Sequence, residues 1–294
     1  MLKRQKNLLV RDWKENVISL IQYPRAGAIP SISPWSLKLE TWLRITQLDY
    51  TVKSSTQASQ MPLQNVSNEF KIASQKGQVP FIEVNGRQIA DSNFIIDQLK
   101  QMYNLSIDRE LNTREQADAR AYQVLVEESL LRALFYHRSR DMSWITSEKG
   151  VIGHFHGFKK TLLEKLLVKK IQHSVKNICN VQGIGRHAPP EVDQIAKKDL
   201  NALSTFLGDK PYFFGSAPTT LDATAFGTLA EIYFIELKGT DIKEYMETST
   251  PNLVNFVQLI KKNFWPDWDI LTSQLIMNQH EAKTPNADPI SPTT

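Results

Sequence analysis

The stretch Gly77-Gln-Val-Pro80-Phe-Ile-Glu-Val-Asn85-Gly-Arg-Gln-Ile-Ala90-Asp-Ser92 decides the fold. Asn-Gly tolerates positive φ, and between two runs of strand formers it is the strongest short-range hairpin signal. Residues 78–84 and 87–90 are therefore read as paired antiparallel strands. Pro80 stands where the first strand opens, a position at which its missing N–H costs no ladder bond. Asp91-Ser92 then supplies side-chain oxygens for the start of a helix over 93–103.

Upstream, Val17-Ile-Ser-Leu-Ile21 is short, β-branched and apolar, and reads as a buried strand. Residues 22–33 carry three prolines and a glycine within or beside them and read as an irregular loop. Ser33-Pro34 is an N-cap followed by proline at the first helical position, so a helix runs to about Ile45 with Leu37, Leu39, Trp42 and Leu43 inside. Residues 48–53 give a second strand, parallel to the first because a helix separates them, and 54–68 read as loop. The order βαβ followed by ββα is that of a thioredoxin-like α/β domain over residues 17–104.

From Thr113 the strand signals stop. Thr113 and Gln116 have capping-box spacing and open a helix to about residue 140. Further helices are expected over 155–178, 191–207, 221–237 and 252–264, which makes residues 113–272 an all-α domain. Thr219 and Asp222 are a second capping box, read as structural. Gly183 is read as a helix C-cap. Residues 1–16 read as a basic flexible arm and 273–294 as a disordered tail.

The chain has 294 residues, 41% hydrophobic and 22% charged, a composition that suits a folded globular protein. Lys3, Arg4, Lys6, Arg11 and Lys14 against Asp12 and Glu15 already supply +3 of the net charge of +4. The body therefore offers no broad basic footprint for nucleic acid. No run approaches the ~18 apolar residues of a transmembrane segment. Cys179 is the only cysteine, which excludes an internal disulfide and points to a reducing, cytoplasmic setting. It is expected to be a buried apolar residue. His154 and His156 have no third ligand nearby, so no metal is expected.

Ser33-Pro-Trp-Ser36, Lys76-Gly-Gln-Val-Pro-Phe-Ile-Glu-Val-Asn-Gly86, Ala90-Asp-Ser92, Gly183-Ile-Gly-Arg-His187 and Thr220-Leu-Asp222 resemble the failed axon connections (Fax) family. That family includes cadmium-responsive nematode proteins and belongs to the metaxin-like branch of the glutathione S-transferase superfamily. The resemblance spans roughly residues 17–265. It implies glutathione as co-substrate, with Val79 and Pro80 presenting backbone to the peptide behind a cis bond. Ser92 would hold the γ-glutamyl carboxylate and Asp91 would face its ammonium. Ser33 would act as the catalytic hydroxyl, hydrogen-bonding the sulfur at a helix N-terminus and favouring the thiolate; a plain N-cap is the other reading of the same residue. A small electrophile would enter between the domains, near Tyr23, Trp35 and residues of the Thr113 helix, in conjugation chemistry of detoxification or stress response. A homodimer is implied by analogy. The resemblance equally implies a second possibility, a non-catalytic binding or adaptor protein with a protein partner, and the metaxin kinship adds mitochondrial import to the possible settings.

Overall fold

Ile18–Gln22 is buried at every position and forms β1, an inner strand of the sheet. The computed structural model describes residues 8–55, 74, 76–151, 158–278 and 280, the side chains of 158–167 excepted. Strand β2, Tyr50–Ser54, pairs parallel to β1, and the connection between them carries α1, Pro34–Ile45. Strand β3, Phe81–Val84, pairs antiparallel to β1, and β4, Arg87–Ala90, pairs antiparallel to β3, giving the order β2-β1-β3-β4. Asn85 and Gly86 turn the hairpin at φ 49° and 74°, as their residue types predict. Helix α2, Ser92–Met102, follows. The loop expected over 54–68 lies, from residue 56 on, outside the described residues, as do His154 and His156.

The helical domain opens with α3, Thr113–Val124, which runs through a π-helical segment, Leu125–Leu130, into α4, Leu131–Arg138. The cap differs from the expected Thr113/Gln116 pair. Asn112 Oδ1 accepts from the Arg114 and Glu115 amides at 2.9 and 3.0 Å, and Glu115 returns a carboxylate oxygen to the Asn112 N–H at 2.9 Å. A carboxylate gains more at the positive helix end than the neutral Gln116 could. The remaining helices are α5 (Ser143–Thr146), α6 (Phe158–Gln182), α7 (Pro189–Leu207), α8 (Thr220–Phe234), α9 (Ile242–Ser249), α10 (Pro251–Phe264) and α11 (Trp268–Gln274). Gly183 ends α6 at φ 108°, and Cys179 is buried just before it.

Helix α8 is the axis of the molecule, because its residues from Leu221 to Ile232 are all buried. Asp222 holds its start: one oxygen accepts from the Phe213 amide at 2.9 Å, the other from the Thr219 N–H and hydroxyl, both at 2.7 Å. One side of α8 meets α1. The other meets the helical core, where Leu229 and Phe226 join Leu200, Leu203 and Val257. The sheet has its own core, in which Leu39, Trp42 and Leu43 of α1 cover Ile18, Leu20, Val52 and Ile82.

The described residues nearest each end of the chain are tied down more than composition predicts. The Leu9 and Val10 amides donate to the buried Glu83 carboxylate at 3.0 and 2.8 Å, and the Trp13 ring lies 3.2 Å from where a side chain on Gly86 would begin. The segment read as a flexible arm is thus docked on the hairpin from Leu9 onward. At the other end, Asn278 accepts from the Val52 N–H at 2.7 Å and donates to its C=O at 2.9 Å, pairing the exposed edge of β2. The tail read as disordered from residue 273 is anchored to the sheet as far as Asn278. A buried edge carbonyl and amide need partners, and composition alone does not show where they come from.

Candidate functional site

Ile21, Phe81 and Ala90 lie side by side across β1, β3 and β4. One residue beyond that row come Gln22, Pro80 and Asp91, at a single end of the sheet. The β1–α1–β2 crossover brings the N-terminus of α1 back to the same end. Topology therefore gathers Ser33, Val79, Pro80, Asp91 and Ser92, which lie up to 59 positions apart in sequence.

The Val79–Pro80 peptide bond is cis. Val79 is half-buried, and among the described residues neither its N–H nor its C=O has a hydrogen-bond partner. Such a free pair beside a sheet can add an extended peptide as one more strand. Asp91 sits at φ 81°, ψ 120°, a backbone conformation costly for any residue but glycine, on the order of 1–3 kcal/mol. Strain held in place at a helix start points to function more often than to packing. Asp91, not Ser92, is the N-cap: its Oδ1 accepts from the Asn93 and Phe94 amides at 3.0 and 3.4 Å. Ser92 is the first helical residue, and its own N–H and hydroxyl have no partner among the described residues. An anion at this helix start would meet both donors. Lys76 adds a cation close by, with its ammonium 4.5 Å from the centre of the Phe94 ring.

Ser33 caps α1, where its Oγ accepts from the Ser36 amide at 3.4 Å and its own N–H donates to Ser31 Oγ at 3.2 Å. The Ser33 O–H has no acceptor among the described residues, and α1 has no acidic residue in its first turn. The hydroxyl thus stays a donor at an unneutralised positive helix end. Yet Ser33 is only 6% exposed.

The preceding loop is not the open excursion its prolines and glycine suggest. Arg25 is fully buried and forms a two-point ion pair with Glu40 at 2.6 and 2.8 Å. It also donates to the Ile276 and Met277 carbonyls of the C-terminal segment. Burial pushes the Glu40 pKa up, but Arg25 and Arg44 outweigh it and leave this carboxyl below the usual range. Ala26, Ile29 and Ile32 enter the helical core, and the Ala28 amide donates to Lys149 O at 3.0 Å. Tyr23 is 37% exposed, while Trp35 packs edge-on against Phe135 at 5.4 Å. Three cavities, of about 510, 430 and 490 Å³, open around Asp108, and the second is lined by Gln116, Ala119, Arg120 and Gln123 of α3.

Behind α2 lies a cluster that sequence reading missed. Lys38 of α1 is 1% exposed; its ammonium donates to Glu127 Oε1 at 2.8 Å and to Asn93 Oδ1 at 2.5 Å. Burial pulls the Lys38 pKa down against the counter-pull of Glu127. Asn93 donates in turn to Glu127 Oε2 at 3.1 Å, and Gln123 donates to both Asn93 and Glu127. The cluster joins α1, α2 and α3 with its π-helical continuation directly beneath the Asp91–Ser92 turn.

Two family models match, the glutathione S-transferase N-terminal domain over residues 34–144 and the glutathione S-transferase C-terminal domain over 196–260. The chain belongs to the glutathione S-transferase superfamily. Within it, the chain falls in the Fax and metaxin-like branch. It is 31% identical to Failed axon connections of Drosophila melanogaster over 94% of its own length, and it spans 65% of that relative. It is 28% identical to the isoprene-epoxide glutathione S-transferase of a Rhodococcus strain, covering 84% of this chain and 99% of that one. It is 27% identical to Metaxin-2 of Mus musculus over 87% and 91% of the two chains. A glutathione S-transferase of Ceriporiopsis subvermispora in complex with glutathione shares the fold, with a TM-score of 0.54 at 16% identity over 86% of this chain and all of that one. The β-etherase LigF of a Sphingobium strain does so too, with a TM-score of 0.54 at 16% identity over 83% and 94%.

In this chain the β1–α1 loop is packed into the interior, and a buried ion cluster supports the start of α2. Among the described residues no group of three or more His, Cys, Asp or Glu side chains could hold a metal ion, and no helix is long and apolar enough to cross a membrane.

Proposed function

We propose that this protein binds glutathione at the end of its sheet and transfers the thiol to small electrophiles. The unpaired Val79 backbone lying next to the strained Asp91–Ser92 turn carries this reading. The peptide would pair with Val79 as an added strand, its γ-glutamyl carboxylate on the Ser92 N–H and hydroxyl. Its ammonium would face the Asp91 oxygen that the cap leaves free. The Ser33 O–H, at the positive end of α1, would then donate to the sulfur and favour thiolate over thiol. Similarity to the isoprene-epoxide enzyme over nearly its whole length supports the choice of an electrophilic small molecule. A reducing, cytoplasmic setting is proposed with it, since the lone Cys179 needs no partner.

One observation favours a second reading, a binding protein without turnover: Ser33 is buried. The two separate in one experiment. Conjugation of glutathione to an epoxide and to an aryl halide is followed for wild type and Ser33→Ala, with glutathione affinity measured in parallel. The transferase reading expects kcat to fall ~100-fold while Kd shifts less than about threefold, the sign of a group acting on the transition state. Wild-type binding without turnover on either electrophile would establish the second reading, and equal loss of affinity and rate would remove Ser33 from the chemistry.

A further inference from the structure

The π-helical segment Leu125–Leu130 interrupts what is otherwise one helix through α3 and α4. Single π turns inside α-helices concentrate at functional sites, because the extra residue redirects the side chains around it. Here the segment carries Glu127, 7% exposed, whose two carboxylate oxygens are split between α1 and α2. Oε1 takes the Lys38 ammonium; Oε2 takes the Asn93 amide and Gln123. Asn93 is the second residue of α2, immediately after Ser92 and two after the strained Asp91. Its side-chain oxygen is held by Lys38 and Gln123 and its nitrogen by Glu127, so the amide group cannot rotate without breaking one of these bonds.

A buried ion pair is weak evidence for stability, since apolar replacements of similar volume often do as well or better. What four polar groups from three elements can supply, and apolar ones cannot, is a single fixed geometry. The backbone they fix is one that a non-glycine residue leaves readily when released.

We propose that Lys38, Glu127 and Gln123 are positioning residues for the Asp91–Ser92 turn, clamping Asn93 so that α2 begins in its ligand-ready conformation. The proposal rests on the glutathione site described above, and it makes the helical domain a determinant of affinity in the thioredoxin-like domain. Glu127 and Gln123 belong to one domain, Asn93 and Asp91 to the other. A shift of α3 against α1 would therefore be felt at the ligand carboxylate without any residue of α3 touching the ligand.

The test uses the full chain and a charge-neutral pair, Lys38→Met with Glu127→Gln, which leaves no buried charge alone. A control pair, Arg44→Met with Asp267→Asn, removes the ion pair at 2.7 Å near the far end of α1. For each protein, hydrogen exchange of the Asn93 and Phe94 amides, the thermal midpoint and glutathione affinity by calorimetry are measured. The cluster variant should exchange those two amides about tenfold faster and bind glutathione about tenfold more weakly. The control should leave both unchanged even where its midpoint falls. Unchanged exchange in the cluster variant overturns the proposal, and so does unchanged affinity in a protein whose wild type binds. If wild type binds no glutathione, the functional reading fails by itself, and the exchange rates still decide whether the clamp exists.

Discussion

Replacing Gly227 by alanine should loosen the seat of α1 and with it the candidate site. Gly227 lies in α8 where the start of α1 crosses it. A β-carbon there would stand 2.5 Å from Pro34 O, 3.0 Å from Lys38 Cβ and 3.1 Å from Lys38 N. Real β-carbons do not come within 3.0 Å of other heavy atoms, so α1 must back away by about half an ångström at a backbone atom. Helix α1 has little room to do so, being wedged between α8 and the sheet. Overpacking of this kind costs on the order of 3 kcal/mol at the upper end, and alanine returns about 1 kcal/mol in helix propensity, leaving a net loss of ~2 kcal/mol. At ~2–4 °C per kcal/mol for a chain of this size, the thermal midpoint should fall by about 4–8 °C. Differential scanning calorimetry reads the midpoint, and glutathione titration reads the site, since Ser33 and Lys38 both move with α1. A midpoint equal to or above that of wild type would refute the close contact and the argument built on it.

Other consequences follow from single contacts. Burial raises the Asp199 pKa to about 6, above its usual 3.8. The fold therefore binds a proton that the unfolded chain releases, and this group's penalty is absent below pH ~4 and complete above ~6. Asp199→Asn should accordingly stabilise by about 1 kcal/mol at pH 7.5, discounted for partial exposure, and by almost nothing at pH 4; an equal gain at both pH values would contradict it. Asn278→Ala should cost about 1 kcal/mol and release the Val52 amide to exchange, because Asn278 is its partner on the open edge of β2. Undiminished protection at Val52 would mean that the C-terminal segment does not close that edge.

The sheet was legible because its signals are local. Asn85-Gly86 needs only its own two residues to turn, and Ser33-Pro34 needs only its own helix to cap. The site could be gathered from sequence because strand order follows from the elements between. What stayed hidden depends on distant partners. Lys38 looks like an ordinary surface lysine in Leu37-Lys38-Leu39 until Glu127, 89 positions away, supplies its counter-charge. The π turn that presents Glu127 leaves no mark on the apolar period. Likewise Pro24, Gly27 and Pro30 announce an irregular path but not a buried one. Arg25 is buried against Glu40, two carbonyls of the C-terminal segment and the Pro30 carbonyl of its own loop. At the Asp91–Ser92 turn the sequence marks a helix start without dividing the work within it: Asp91 Oδ1 caps the Asn93 and Phe94 amides, and Ser92 is the first helical residue.

At the centre of the proposal the Asp91–Ser92 turn holds glutathione by its γ-glutamyl end while the Val79 backbone pairs with the peptide. The most direct measurement is calorimetric titration of the full chain with glutathione and with cysteinylglycine, which lacks that end, repeated on Ser92→Ala. The account predicts a glutathione dissociation constant between about 1 μM and 1 mM, roughly −8 to −4 kcal/mol, weakened at least about tenfold by either change. No binding of glutathione, or equal affinity for both peptides, would contradict it.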